Sequence, residues 1–296
     1  MKLLQTLKLI WRNILATQEA RIAFFQGNQK LLQKKFDALF RIGNKQGVEI
    51  VFFDSKKELI WVKKDGITVI INDYYSVFIE VLVNKGYSLP PYITNSKFCV
   101  FDMGMNRGYA SLFFANYPNC TKVFSFELEQ ATYNKALQNF ALNETLSAKI
   151  VPYNFGLWNA DDEIDIFSGE KDGRTCATSF AEEFSTVTNL LQDQKYKTTL
   201  KATVKKASGV VAPILNSINA DEKKVLKIDI EGAEYAVFED LYNHKIIQQF
   251  DVIIGECHNG IEELEKYLEE FVRVNFNVDK SSGLITFCYI NKRIYL

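Results

Sequence analysis

Residues 100 to 111 read V-F-D-M-G-M-N-R-G-Y-A-S. The apolar run F-C-V-F-D leads into this stretch, and a helical pattern through Ser111, Leu112, Phe113 and Phe114 leaves it. Strand, glycine turn and helix in that order open a βαβ unit. Gly104 and Gly108 allow the backbone to turn sharply and approach a ligand closely. In open α/β sheets ligands sit beyond the carboxyl ends of the strands, near the point where strand order reverses. Asp102 ends this first strand, so the loop is placed where a ligand binds.

The loop departs from the dinucleotide pattern G-x-G-x-x-G, whose second glycine leaves room for a pyrophosphate. Here the order is Gly104, Asn106, Gly108. Asn106 puts a side chain into that room and Asp102 adds negative charge, so both disfavour a pyrophosphate. Both suit a ligand with a cationic centre and an amino group, and S-adenosylmethionine is such a ligand. About 25 residues after Asp102, Glu127 ends the second strand, K-V-F-S-F-E, where a carboxylate accepts both ribose hydroxyls. Asn154, at the end of the third strand A-K-I-V-P-Y-N, is placed for the adenine edge.

Outward from this point the alternation continues. The helical run A-T-Y-N-K-A-L-Q-N-F-A-L-N follows the second strand. V-L-K-I-D and D-V-I-I-G-E are the fourth and fifth core strands, and I-E-E-L-E-K-Y-L-E-E-F reads as a helix. V-N-F-N-V and L-I-T-F-C-Y-I flank the turn Ser281-Ser282-Gly283 and must pair antiparallel. The fold expected is α/β: a Rossmann-like parallel sheet with helices on both faces and an antiparallel last strand. Residues 159 to 223 interrupt the third and fourth core strands, with D-E-I-D-I-F and L-K-A-T-V-K as strands inside the insert.

The first 90 residues have a different rhythm. Residues 1 to about 42 carry apolar side chains at helical spacing, among them Leu3, Leu7, Trp11 and Ile14. Gln5, Lys8 and Arg12 interrupt the apolar run, so it reads as an amphipathic helix and not as a signal peptide. Three β runs follow, V-E-I-V-F-F, E-L-I-W-V and I-T-V-I-I, with Asp65-Gly66 as a hairpin turn. The helical run Y-S-V-F-I-E-V-L-V comes next, and Leu89-Pro90-Pro91 marks a boundary. The expected division is residues 1–90, a helical and β appendage serving as cap or dimer contact, and residues 91–296, the ligand-binding domain.

A formal net charge of -1 gives no footing for a nucleic-acid partner. No segment is long and apolar enough to span a bilayer. The five cysteines are scattered and unpaired in spacing, which reads as reduced thiols in a cytoplasmic protein.

The loop, followed by F-E-L-E, L-K-I-D-I-E-G-A-E and G-E-C-H, resembles the FkbM-type methyltransferases. The resemblance covers roughly residues 97 to 296. It implies a class I enzyme that uses S-adenosylmethionine, a seven-stranded sheet with its last strand antiparallel, and in most members O-methyl transfer. Leu128 stands beside the ribose position where the family often has proline. The family's habits also imply a sugar, nucleotide-sugar or glycan precursor as acceptor. A dinucleotide-dependent oxidoreductase and a non-catalytic partner in glycan assembly are the alternatives.

The second cluster is Asp229, Glu231, Glu256 and His258, brought to one rim by neighbouring parallel strands. A sugar hydroxyl does not ionise at neutral pH, so its proton must be taken as attack proceeds. His258 is the first candidate base. Asp229 is the second, as base or as the group that orients the acceptor, and Glu256 stands with them. Glu231 and Arg174, in the insert, are candidates for binding the substrate, Arg174 through an anionic group. The same four rim residues offer hard oxygens and one imidazole, acceptable for Mg²⁺ or Mn²⁺. The reading without a metal is preferred. Glu234 reads as a first-turn acid favoured by the helix dipole, and His244 as a capping residue.

Overall fold

The computed structural model describes residues 39, 45–54, 57–72, 75–168, 178–179, 198–257, 260–278 and 285–295. The expected N-terminal amphipathic helix lies outside the described residues. The chain divides into two units, one of residues 1–86 with 138–144, the other of residues 87–137 with 145–296.

The first unit holds a three-stranded antiparallel meander of β1 (Val48–Asp54), β2 (Leu59–Lys64) and β3 (Ile67–Ile71). Asp65 and Gly66 both take positive φ, 50° and 86°, as a tight hairpin of this twist requires. Ile50, Phe53, Ile60, Val62, Val69 and Ile71 are buried, alternating with exposed or half-buried neighbours along each strand. Two asparagines complete the outer edge of β3. Asn143 Oδ1 accepts the Thr68 N–H at 2.9 Å and its Nδ2 donates to the Thr68 carbonyl at 2.6 Å. Asn139 Oδ1 accepts the Ile70 N–H at 2.8 Å. Side chains stand here where another strand would, and the edge is closed to further pairing.

The second unit is built on a seven-stranded sheet. In chain order its first half comprises β4 (Phe98–Met103), α1 (Tyr109–Ala115), β5 (Cys120–Phe126), α2 (Gln130–Ala141) and β6 (Ile150–Tyr153). The last residues of α2 group with the first unit. A small sheet follows, formed by β7 (Gly156–Trp158), β8 (Asp162–Ser168), β9 (Thr178–Ser179) and β10 (Thr198–Lys206) in the order β7-β10-β8-β9. The two strand runs expected in the insert are β8 and β10, and they pair antiparallel. Then come α3 (Ala207–Ser217), β11 (Lys223–Ile228), α4 (Glu234–Asn243), β12 (Val252–Cys257), β13 (Phe271–Val278) and β14 (Ile285–Asn291).

The large sheet runs β13-β14-β12-β11-β4-β5-β6. The five strands from β12 to β6 are mutually parallel, while β14 is antiparallel to both neighbours. Every residue of β4 and of β12 is buried, as strands covered on both faces must be. The chain leaves β4 toward β5 and returns to β11 on the other side, so strand order reverses between β4 and β11.

One expected element is shorter than its pattern. The run from Ile261 to Phe271 forms only one α-turn, Glu262–Glu265, and then proceeds through i→i+3 bonds from Tyr267 to Leu264 and from Leu268 to Glu265. Leu264, Leu268 and Phe271 reach the core at helical spacing. Phe271 nevertheless begins β13 opposite Asn291, and sheet pairing overrides the helical period.

Candidate active site at the switch point

Four backbone N–H groups fasten the glycine loop to the end of β5 and to itself. Gly104 and Met105 both donate to the Phe126 carbonyl, at 3.1 and 2.8 Å. Asn106 N–H donates to Glu127 Oε2 at 2.8 Å, and Gly108 N–H to the Met105 carbonyl at 2.9 Å. Gly104 has φ +84°, and a Cβ there would sit 1.8 Å from the Asp229 carbonyl oxygen. The neighbouring strand's backbone, and not only a ligand, therefore demands glycine at this position. Asn106 has φ +51°, a left-handed conformation that asparagine tolerates better than most residues. Its place in the pattern thus has a backbone reason that composition alone does not reveal.

Asp102, read from sequence as facing the ligand, is fully buried beneath the loop. Its Oδ2 accepts the Ser111 hydroxyl at 2.5 Å, and Ser111 in turn meets Ser125 at 2.9 Å. Burial pushes the Asp102 carboxyl up, with Lys227 and Ser111 working against it. The reason for its depth is Lys227, which the sequence reading passed over. Its Nζ lies 3.3 Å from Asp102 Oδ1 and 3.8 Å from Asp229 Oδ2, and donates to the carbonyls of Gly104 at 2.7 Å and Met103 at 3.2 Å. Burial pulls this ammonium down, but Asp102, Asp229 and Glu256 outweigh burial and raise it. A lysine inside an otherwise apolar core strand was the available signal, since lysine is almost never fully buried unless paired.

Glu127 lies just past the end of β5 and is buried. Each oxygen accepts one backbone N–H, Oε2 from Asn106 and Oε1 from Glu129 at 2.9 Å. A carboxylate has about four lone-pair sites, so each oxygen keeps capacity for one hydroxyl donor. Burial pushes the carboxyl up to about 7, against the pull of those two N–H groups. Asn154, expected at a ligand edge, donates its Nδ2 to the Glu127 carbonyl at 3.0 Å and so holds the strand end. The Leu128 side chain packs over Gly156, where an added Cβ would come within 2.8 Å of it. Phe126 and Tyr153 stack at 5.0 Å, with Phe155 against both, as an aromatic wall at the ends of β5 and β6.

Across the switch point, Asp229 keeps 26% of its side chain exposed. It accepts the Tyr87 hydroxyl at 3.1 Å, and the ring of Tyr87 lies 5.4 Å from the Lys227 ammonium. Tyr87 precedes the sheet and is 142 residues from Asp229, so no local pattern pointed to it. Glu231, half-buried, has φ +53°, and such strained residues cluster at functional sites. The turn that carries it is held by Glu234, fully buried, whose oxygens accept the Ile230 and Gly232 N–H groups at 3.0 and 2.8 Å. Glu234 is thus a turn clamp, more than the dipole partner expected. Glu256 is buried near the end of β12. Tyr235 pins the chain beyond it, its hydroxyl 2.9 Å from Cys257 Sγ and 2.8 Å from the Gly260 carbonyl. His244 caps α4, its N–H donating to the Asp240 carbonyl at 3.2 Å. His258 and Arg174 lie outside the described residues. Among the described residues, no group of three or more His, Cys, Asp or Glu side chains is arranged to hold a metal ion.

A glycine loop at the switch point, with a buried acid that keeps two free acceptor sites at the end of the next strand, fits the ribose of a nucleoside cofactor. The class so defined is the S-adenosylmethionine-dependent methyltransferases. Residues 102–277 match the Methyltransferase FkbM domain, and the chain belongs to that family. The family assignment displaces the dinucleotide oxidoreductase as an alternative. No curated protein matches the sequence. Among solved structures, Methyltransferase FkbM from Methylobacillus flagellatus is similar, with 12% identity over 66% of this chain and 44% of that one, and a TM-score of 0.39. TYW2 from M. jannaschii in complex with AdoMet shares 11% identity over 81% of this chain and 90% of that one, with a TM-score of 0.39. TrmK from M. capricolum in complex with S-adenosyl-homocysteine shares 11% over 69% of each chain, with a TM-score of 0.36. Among the described residues, no helix is long and apolar enough to cross a membrane.

Proposed function

We propose that this methyltransferase acts on a hydroxyl group, and that the acceptor is a sugar, nucleotide-sugar or glycan precursor. The observation that carries the hydroxyl reading is Asp229: a partly exposed carboxylate at the switch point, one oxygen fixed by Tyr87 and Lys227. When bound, S-adenosylmethionine supplies an electrophilic methyl group on a sulfonium. Glu127 accepts the ribose hydroxyls, and the loop from Gly104 to Gly108 holds the amino-acid end. The remaining acceptor capacity of Asp229 takes a hydrogen bond from the incoming hydroxyl, which orients the oxygen for in-line attack. As attack proceeds the hydroxyl proton passes to His258 or to Asp229 itself. Glu256 keeps the rim acidic, and Glu231 and Arg174 bind the rest of the acceptor. Mg²⁺ is not required in this scheme. The acceptor class rests on the family's habits.

The test is transfer of a labelled methyl group from the cofactor to a panel of nucleotide-sugars, free glycans and tRNA, with and without EDTA. Label in an alkali-stable ether on a sugar, insensitive to EDTA, is the expected result. Label on tRNA alone would replace the acceptor class. Activity lost in EDTA and restored by Mg²⁺ would replace the metal-free scheme. Asp229→Asn should lower kcat by roughly a hundredfold, the usual scale for a positioned acid–base group.

A further inference from the structure

We propose that Lys227 sets how strongly this site prefers the positively charged cofactor over its neutral product. The inference rests on the cofactor reading above. Lys227 is 2% exposed, yet it is not a remote structural ion pair. Its ammonium touches the two carbonyls that open the glycine loop, and it lies within 3.8 Å of both Asp102 and Asp229. Glu256 acts on it as well. One positive charge thus sits among carboxylates at the place where the ligand's own charge changes.

S-adenosylmethionine carries a sulfonium, an ammonium and a carboxylate, a net charge of about +1 at neutral pH. The product has lost the sulfonium charge and is neutral overall. Apart from the transferred methyl group, everything the site touches is the same in both molecules. Discrimination between them is therefore chiefly electrostatic, set by the net charge of the rim. Carboxylates alone would hold the cation strongly. The Lys227 ammonium opposes that preference, while its hydrogen bonds to Met103 and Gly104 hold the loop. A neutral donor would serve the carbonyls equally well, so the charge itself has a separable effect.

The experiment is calorimetric titration of the full chain with S-adenosylmethionine and with S-adenosylhomocysteine, at fixed pH and low salt. The readout is the ratio of the two dissociation constants, product over cofactor. Asp102→Asn is the reference background, because it removes the buried acid that would otherwise titrate when Lys227 is lost. Adding Lys227→Gln to Asp102→Asn leaves a neutral buried pair that still offers an N–H donor to the two carbonyls. The ratio should rise about tenfold in the double variant relative to the single one, the scale of one unit charge across about 10 Å at an effective dielectric of about 20. Equal ratios, with both affinities shifting together, would overturn the inference and leave Lys227 as a loop fastener. Should Asp102→Asn fail to fold, Asp102→Ser replaces it as the background; adding Lys227→Gln to that background should again raise the ratio about tenfold, and an unchanged ratio overturns the inference. A wild-type chain that binds neither compound overturns the cofactor reading and the inference with it, a result distinct from binding with an unchanged ratio.

Discussion

At the residue scale, Glu127 carries the clearest pH signature. Its carboxyl is pushed up to about 7 by burial, above the ordinary 4.5. Ribose hydroxyls donate to the charged form and favour it. Cofactor affinity should therefore strengthen as pH rises from about 6 to 8, and Glu127→Gln should flatten that dependence; titration calorimetry across the range checks both. The same shift acts on stability with the opposite sense. Between 4.5 and about 7 the folded chain holds a proton at Glu127 that the unfolded chain has released, so this group's contribution to stability falls as pH rises through that window. Gly104 gives a second test. Gly104→Ala would force a Cβ into the Asp229 carbonyl at a φ of +84°, and should cost at least about 3 kcal/mol in denaturant unfolding. A loss under about 1 kcal/mol would contradict the close approach of β4 and β11. The glycine loop and Glu127 were legible because their spacing is local. Lys227 showed only as a lysine in an apolar strand, since its buried partner Asp102 lies on another strand, and Tyr87 had no local signal because it meets Asp229 across 142 residues.

At the element scale, the edge of β3 shows how side chains replace a strand. Asn143 serves three backbone groups: the Thr68 N–H, the Thr68 carbonyl and the Asn139 carbonyl at 2.7 Å. Asn143→Ala should destabilise the first unit by roughly 1 kcal/mol, the low end of the cost of leaving backbone groups unpaired, since those of Thr68 are half-buried. Hydrogen exchange at the Thr68 amide should accelerate, and unchanged exchange would refute the pairing. The sequence pattern marked β1 to β3 and their Asp65-Gly66 turn, since alternation and turn chemistry are properties of neighbouring residues. It could not mark Asn139 and Asn143, whose spacing fits any helix. It also extended the run from Ile261 to Phe271 as a helix, because three buried apolar residues kept the helical period while Phe271 was already committed to β13.

At the scale of the molecule, one topological feature organises the site: strand order reverses between β4 and β11. That reversal brings Asp102, Lys227 and Asp229 together and leaves the glycine loop above them. That the core strands run parallel was readable from the alternation of elements, and the antiparallel pairing of β13 and β14 from their short turn. The burial of Asp102 was not, because it depends on an ammonium delivered by another strand. The central claim is the placement of S-adenosylmethionine on this rim, and a crystal structure of the chain with the cofactor tests it most directly. The account predicts the ribose hydroxyls on Glu127 and the methyl group facing Asp229. A nucleoside bound away from β5, with its ribose off Glu127, would contradict it.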